Sequence, residues 1–154
     1  MQLTDILAPQ AVKSLAGCSS KKRLFQDVGD LTEAALGILS ARAVEALMER
    51  ESLGPTGVGH GVALPHARLP EINKVQGVFL RLDKPVEFGS VDRKPVDLVF
   101  ALFAPEDAGV EHLKALALVS RTLKDEAIRT KLRANSDPAT LHAVLTEAQA
   151  TQAA

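Results

Sequence analysis

Two histidines six residues apart stand in the most unusual stretch of this chain, GPTGVGHGVALPHAR over residues 54–68, which holds four of the ten glycines and two of the four histidines. A neutral imidazole offers a lone pair to a metal or to an electrophile, and its ordinary pKa near ~6.5 keeps it mostly neutral around neutral pH. Three chemistries compete for the stretch. Gly54 to Gly59 satisfies the G-x-x-x-x-G part of a nucleotide phosphate loop. The next two residues should then be Lys and Ser or Thr, to neutralise the phosphates and hold magnesium, and here they are His60 and Gly61. A metal site would draw on His60, His66 and His112. An extended segment would point His60 and His66 to one face, but no cysteine pair, no H-x-x-x-H and no fourth ligand accompanies them, so no metal is expected. The third chemistry makes His66 a nucleophile. Pro65 fixes the backbone before it, and Gly57, Gly59 and Gly61 let main chain come close. A histidine among backbone N–H groups and a nearby cation suits phosphoryl transfer, in which those groups hold the charge on the phosphoryl oxygens. On residue chemistry alone, an imidazole that merely ends a strand remains the alternative.

The rest of the chain must supply a rigid frame for that stretch. The 154 residues suit one domain, expected over 1–150, with a disordered tail over 151–154. Apolar residues make up 46% and Trp and Tyr are absent, so the core must be built from Leu, Val, Ala, Ile and five Phe. A net charge of -1 gives no basic footprint for nucleic acid. Cys18 is the single cysteine and can form no internal disulfide, which fits a reducing compartment. The start, MQLTDILAPQ, lacks the charged and apolar regions of a signal peptide, and no apolar run approaches the ~20 residues of a membrane span. A cytoplasmic protein without membrane insertion is expected.

Periodicity orders the elements. Ala11 to Leu15 reads as a short strand. Ser19 or Ser20 caps a helix carrying Leu24, Val28, Leu31 and Ala35, which Gly37 ends. Ser40 is expected to cap a second helix, with Val44, Leu47 and Met48 inward and Gly54-Pro55 as its stop. Val75 to Leu82 reads as a strand, Pro85 to Phe88 as a separate extended piece before a turn at Gly89. Val96 to Phe103 is almost continuously apolar, as suits a strand covered on both sides. Helical spacing then returns through Val110, Leu113, Leu116, Ala117 and Leu123, through Ile128 and Leu132, and after Asp137-Pro138 through Leu141, Val144 and Leu145. Helices, strands, then helices predict a mixed α/β fold with a mixed sheet between helical layers.

The run GPTGVGHGVALPHAR resembles the active-site signature of the IIA proteins of the bacterial phosphotransferase system, in the fructose/mannitol superfamily and nearest its nitrogen-regulatory branch. LTDIL, SKKRLFQDVGDL, LMERESLGPTG, KPVDLVFALFAP and EHLKALALVSRTL follow in the order expected of that family, over nearly the whole chain. The resemblance implies that His66 accepts a phosphoryl group, on Nε2, from a phosphohistidine of a small carrier of the HPr kind, with no cofactor. It implies a second active-site histidine at the start of the helix after the buried strand, matched by His112, and an arginine ending the helix before the glycine run, matched by Arg50. Gly59 and Gly61 are expected to support the phosphoryl group through backbone amides. Arg68 is expected to steady that group or the donor's surface, or to be an ordinary surface residue. Ala67 departs from the family's usual glycine; were φ positive there, alanine would cost about 1 kcal/mol. His60 receives no chemical role. The resemblance further implies a phosphohistidine carrier and regulator, rather than an enzyme turning over a small substrate. It would act on nitrogen and potassium metabolism through partners such as potassium-transport or sensor-kinase proteins. Two alternatives stand beside this: a sugar-specific IIA subunit serving a IIB protein, and a binding module without phosphoryl transfer. No IIB or IIC segment falls within these residues, which favours the regulator.

Overall fold

The computed structural model describes the backbone of residues 1–153 and the side chains of residues 1–147, so the tail expected over 151–154 lies outside the fully described residues. Among the described residues six strands form one mixed sheet: β1 (Val12–Leu15), β2 (Gly57–Gly59), β3 (Val62–Ala63), β4 (His66–Leu69), β5 (Gln76–Val86) and β6 (Val96–Pro105). The order is β1-β5-β6-β3-β2, and β4 pairs with β6 farther along the edge that β3 occupies. β1 is parallel to β5, β5 antiparallel to β6, and β3 and β4 both parallel to β6. All ten residues of β6 are buried, as a strand between two covering layers requires. The Phe79 and Phe100 rings meet across β5 and β6 with centroids 6.1 Å apart.

Helices α2 (Lys21–Leu36) and α3 (Ser40–Glu51) pack on each other and onto β5 and β4. The short α1 (Leu3–Ile6) joins α4 (Gly109–Lys124), α5 (Glu126–Arg133) and α6 (Pro138–Ala153) in a second group, against β6, β5 and β1. The expected mixed sheet between helical layers is what forms. Ser20 caps α2, its Oγ accepting from the Arg23 N–H at 3.1 Å, and Gly37 ends it in the left-handed conformation at φ 75°. Asp137 accepts from the Thr140 N–H at 3.0 Å just before Pro138 opens α6.

Several elements depart from expectation. β5 is one eleven-residue strand where the sequence pattern suggests two pieces, because the chain stays extended through Asp83 and Lys84 while its pairing with β6 shifts between Arg81 and Val86. Ser40 is the first residue of α3 rather than its cap, and its hydroxyl donates to Asp30 Oδ1 at 2.8 Å. The inward face of α3 is Ala43, Ala46 and Leu47, with Met48 exposed. The face of α4 is turned furthest: it buries His112, Ala115, Leu118, Val119, Thr122 and Leu123, and leaves Val110 and Leu113 about two-thirds exposed. Of the residues whose spacing suggests the inward face, Leu123 alone is buried, because α4 carries a second apolar row, Ala115, Leu118 and Val119, and that row meets the sheet.

Buried arginines close the ends of the second helical group. Arg129 donates to the carbonyls of Leu123 and Lys124, at 3.0 and 2.6 Å, where α4 stops. Arg81 of β5 donates to the Leu132 carbonyl at 2.9 Å, where α5 stops. Carbonyls left unpaired by a helix end take such cations well.

Candidate functional site

His66 opens β4, opposite Leu102 of β6. The chain reaches it through Leu64-Pro65, and the Pro65 carbonyl accepts from the Leu102 N–H at 2.9 Å, so the residue before His66 is already bonded into the sheet. His66 Nδ1 lies 2.8 Å from the Leu64 carbonyl oxygen. A carbonyl can only accept, so Nδ1 carries the hydrogen and Nε2 the lone pair. Burial holds the ring's pKa below the usual 6.5; the Leu64 hydrogen bond opposes this, the Arg50 charge adds to it, and the Glu51 charge opposes it again. The ring is therefore neutral at pH 7. Along β4 burial alternates: Ala67 and Leu69 are buried, while His66 is half-buried and Arg68 exposed.

Arg50 stands in the last turn of α3, and its Nη1 donates to the Gly54 carbonyl at 3.0 Å. The neighbouring Glu51 accepts from the Thr56 N–H at 3.0 Å, from Thr56 Oγ1 at 2.6 Å and from Lys21 Nζ at 2.7 Å. Consecutive residues of α3 thus grip the loop 54–56 at both ends. Lys21 in turn lies over the Phe88 ring, 4.3 Å from its centroid, so the Glu51 carboxylate is backed by the core.

His112 sits at the start of α4, and its N–H closes the first helical bond onto the Ala108 carbonyl at 3.0 Å. Its side chain is buried, and its ring meets His66 edge to face, with centroids 5.5 Å apart and planes at 73°. Arg68 Nε donates to His112 Nδ1 at 3.4 Å, and His112 Nε2 is buried without a hydrogen-bond partner among the described residues. Burial, with the nearby charges of His66 and Arg68, pushes the His112 pKa down to about 4.

Arg50, His66, Arg68 and His112 line one cavity of about 490 Å³. Four residues that arrive from three elements, and span 62 positions of sequence, therefore face one space. Glu49, Leu53, Arg42 and Glu106 share its wall and were not anticipated. The spacing Arg42, Ala46, Arg50 along α3 is the signal that could have found the one cation among them. Arg42 itself pairs with Glu71, Nε to Oε2 at 3.0 Å.

The glycines expected to support a phosphoryl group lie elsewhere. Gly59 and His60 line a separate recess with Val62, Ser120 and Leu123. Gly61 adopts φ +79°, and its carbonyl accepts from the N–H groups of both Asp97 and Leu98 at 3.0 Å. A β-carbon on Gly61 would lie 2.4 Å from Arg133 Nη2 and 2.8 Å from Asp97 Oδ1. Gly59 and Gly61 thus shape the β2–β3 hairpin and its packing on β6 and α5, not the cavity. For the same reason His60, His66 and His112 are not gathered at one place. Ala67 also differs from expectation. It pairs with Phe103 in extended backbone, and the non-glycine residues at positive φ are His60 and Arg93 among the described residues, so alanine there carries no left-handed strain.

The family defined as "Phosphoenolpyruvate-dependent sugar phosphotransferase system, EIIA 2" matches residues 5–148. The chain belongs to this IIA family. Within it, the nitrogen regulatory protein of Bradyrhizobium diazoefficiens is 45% identical over 153 residues, covering 99% of this chain and all of that protein. The nitrogen regulatory protein of Escherichia coli K12 is 36% identical over 152 residues, covering 98% of this chain and 93% of that one. The crystal structure of nitrogen regulatory protein IIA-Ntr from Neisseria meningitidis superposes with a TM-score of 0.86 at 38% identity, over 94% of this chain and 99% of that one. These relatives bear out the likeness to the nitrogen-regulatory branch. The IIA mannitol structure from Escherichia coli shares the fold, with a TM-score of 0.75 at 20% identity over 90% of this chain and 97% of that one. Among the described residues of this IIA protein, no helix is long and apolar enough to cross a membrane.

Proposed function

We propose that this IIA protein of the nitrogen-regulatory type accepts a phosphoryl group on His66 Nε2 from a phosphohistidine of an HPr-like carrier, and signals through partners that distinguish its two states. The observation that carries this reading is the 2.8 Å bond from His66 Nδ1 to the Leu64 carbonyl, which leaves the lone pair on Nε2 of a ring lining the cavity with Arg50, Arg68 and His112. The new N–P bond forms at Nε2 as the carrier's N–P bond breaks. The electron pair of the broken bond stays with the carrier's imidazole, and His66 Nδ1 keeps its proton throughout. Nitrogen replaces nitrogen, so the transfer is close to balanced and reversible, and it draws on neither a metal nor a nucleotide. Arg50 supplies a planar guanidinium suited to phosphoryl oxygens.

The added group brings about two negative charges to one surface at neutral pH. Such a change alters partner binding without refolding the domain. Potassium-transport and sensor-kinase proteins are the proposed classes of target, in a cytoplasmic setting, as the resemblance to the nitrogen-regulatory branch implies.

The test is incubation of the protein with phosphorylated carrier, followed by phosphohistidine detection and intact-mass measurement. Wild type is expected to gain one phosphoryl group and His66→Ala none. Equal labelling of His66→Ala would refute the assignment. Efficient onward transfer to a sugar-specific IIB protein would instead mark a sugar-transport subunit.

A further inference from the structure

We propose that Arg68 is a positioning residue that fixes the tautomer of His112, keeping the ring proton on Nε2, where it serves the phosphoryl group carried by His66. The inference rests on the phosphoacceptor reading of His66.

Three observations converge on it. Arg68 Nε points at His112 Nδ1 over 3.4 Å. A guanidinium has donors and no acceptor, so Nδ1 of His112 must present its lone pair and the hydrogen must sit on Nε2. That Nε2 is closed off from solvent and has no hydrogen-bond partner among the described residues. A buried donor without a partner is uncommon in folded proteins and calls for a reason. Here the ring that owns it lies edge to face against His66 and lines the same cavity. A phosphoryl oxygen on His66 Nε2 is the acceptor that this donor lacks.

Without Arg68, the two tautomers of His112 would differ little in energy. In one of them the ring would turn a lone pair, not a hydrogen, toward the phosphoryl oxygens, and two acceptors would face each other. Arg68 excludes that arrangement before the carrier arrives. The two arrangements of His66 and His112 are then complementary. The Leu64 carbonyl holds the proton of His66 on Nδ1 and frees Nε2 to attack, while the Arg68 guanidinium holds the proton of His112 on Nε2 and frees it to donate. Each ring is set by the partner of its Nδ1, one an acceptor and the other a donor. Arg68 is exposed, so it can be replaced without opening the core.

Long-range proton–nitrogen correlation spectra of ¹⁵N-labelled protein at neutral pH read which nitrogen of His112 is protonated. Wild type is expected to show Nε2–H. Arg68→Met is expected to show a mixture of tautomers, and Arg68→Lys, which keeps a donor, to restore Nε2–H. Phosphoryl uptake from the carrier should slow about tenfold in Arg68→Met and recover most of that loss in Arg68→Lys. In a His112→Gln background the same Arg68→Met change should cost less than about twofold, because no tautomer is left to set. His112 protonated on Nδ1 in wild type, or an unchanged tautomer in Arg68→Met, would overturn the proposal. So would an undiminished effect in the His112→Gln background, which would make Arg68 a direct phosphate ligand. A wild-type protein that takes up no phosphoryl group would defeat the phosphoacceptor reading, while the spectra would still decide what Arg68 does to His112.

Discussion

The rings of His66 and His112 meet edge to face with centroids 5.5 Å apart, in partly dry surroundings where a proton on one opposes a proton on the other. Both pKa values are held below the usual 6.5, His66 by burial first and His112 by burial first and then by the His66 charge. Two neutral imidazoles side by side can divide the roles of lone-pair bearer and hydrogen donor, which two imidazolium ions could not.

That depression should appear in the pH dependence of stability. Below pH 6.5 the unfolded chain protonates His112 and the native state does not, down to about pH 4. The unfolded state therefore binds more protons, and stability falls as pH falls through that window. The contribution lost is at most about 3 kcal/mol. Urea unfolding from pH 7 to pH 4 should show the slope in wild type and a shallower one in His112→Gln. Parallel slopes would mean that His112 titrates as it does in an unfolded chain.

Removing Arg50 should separate its two effects. Its charge helps to hold the His66 pKa down, so Arg50→Ala should raise the midpoint of the His66 titration followed by NMR. Burial is the larger cause, so the midpoint should stay below its usual value. Phosphoryl uptake should fall by about a hundredfold in Arg50→Ala, with partial recovery in Arg50→Lys, which lacks the planar fork. Loss of the bond to the Gly54 carbonyl should also loosen the loop 54–56, seen as faster amide exchange at Thr56.

Gly61→Ala should destabilise the fold without slowing transfer. Its β-carbon would push into the Arg133 guanidinium, which pairs with Asp97 at 2.9 and 3.0 Å and donates to the His60 carbonyl. The positive φ adds strain, and the total should be about 1–3 kcal/mol in thermal or urea unfolding. Below the melting range, uptake of the phosphoryl group should match wild type, since Gly61 does not face the cavity. A loss of transfer larger than the loss of folded protein would return Gly61 to the site.

Local signals were read well where the backbone itself enforces them. Ser20 and Gly37 bracket α2, Asp137-Pro138 opens α6, and the largely apolar run of β6 lies buried on both faces. The glycine-rich run was different. Its glycines looked like one ligand-binding device, but their spacing gave no way to tell a hairpin that packs against Arg133 and Asp97 from a cradle around an anion. Nor could periodicity orient α4, which carries apolar residues on both sides: Ala115, Leu118 and Val119 turn inward and Val110 and Leu113 stay outside.

By itself the sequence determined the order of helices and strands, the almost wholly apolar strand at the centre, and the identity of an unusual histidine after a proline. These follow from backbone preferences and apolar spacing, which act over a few residues. Only the tertiary structure decided that His66, Arg50, Arg68 and His112 share one cavity while Gly59 and Gly61 do not. Parallel pairing of β4 with β6 and the rotation of α4 set those distances, and both are fixed by packing between segments far apart in the chain.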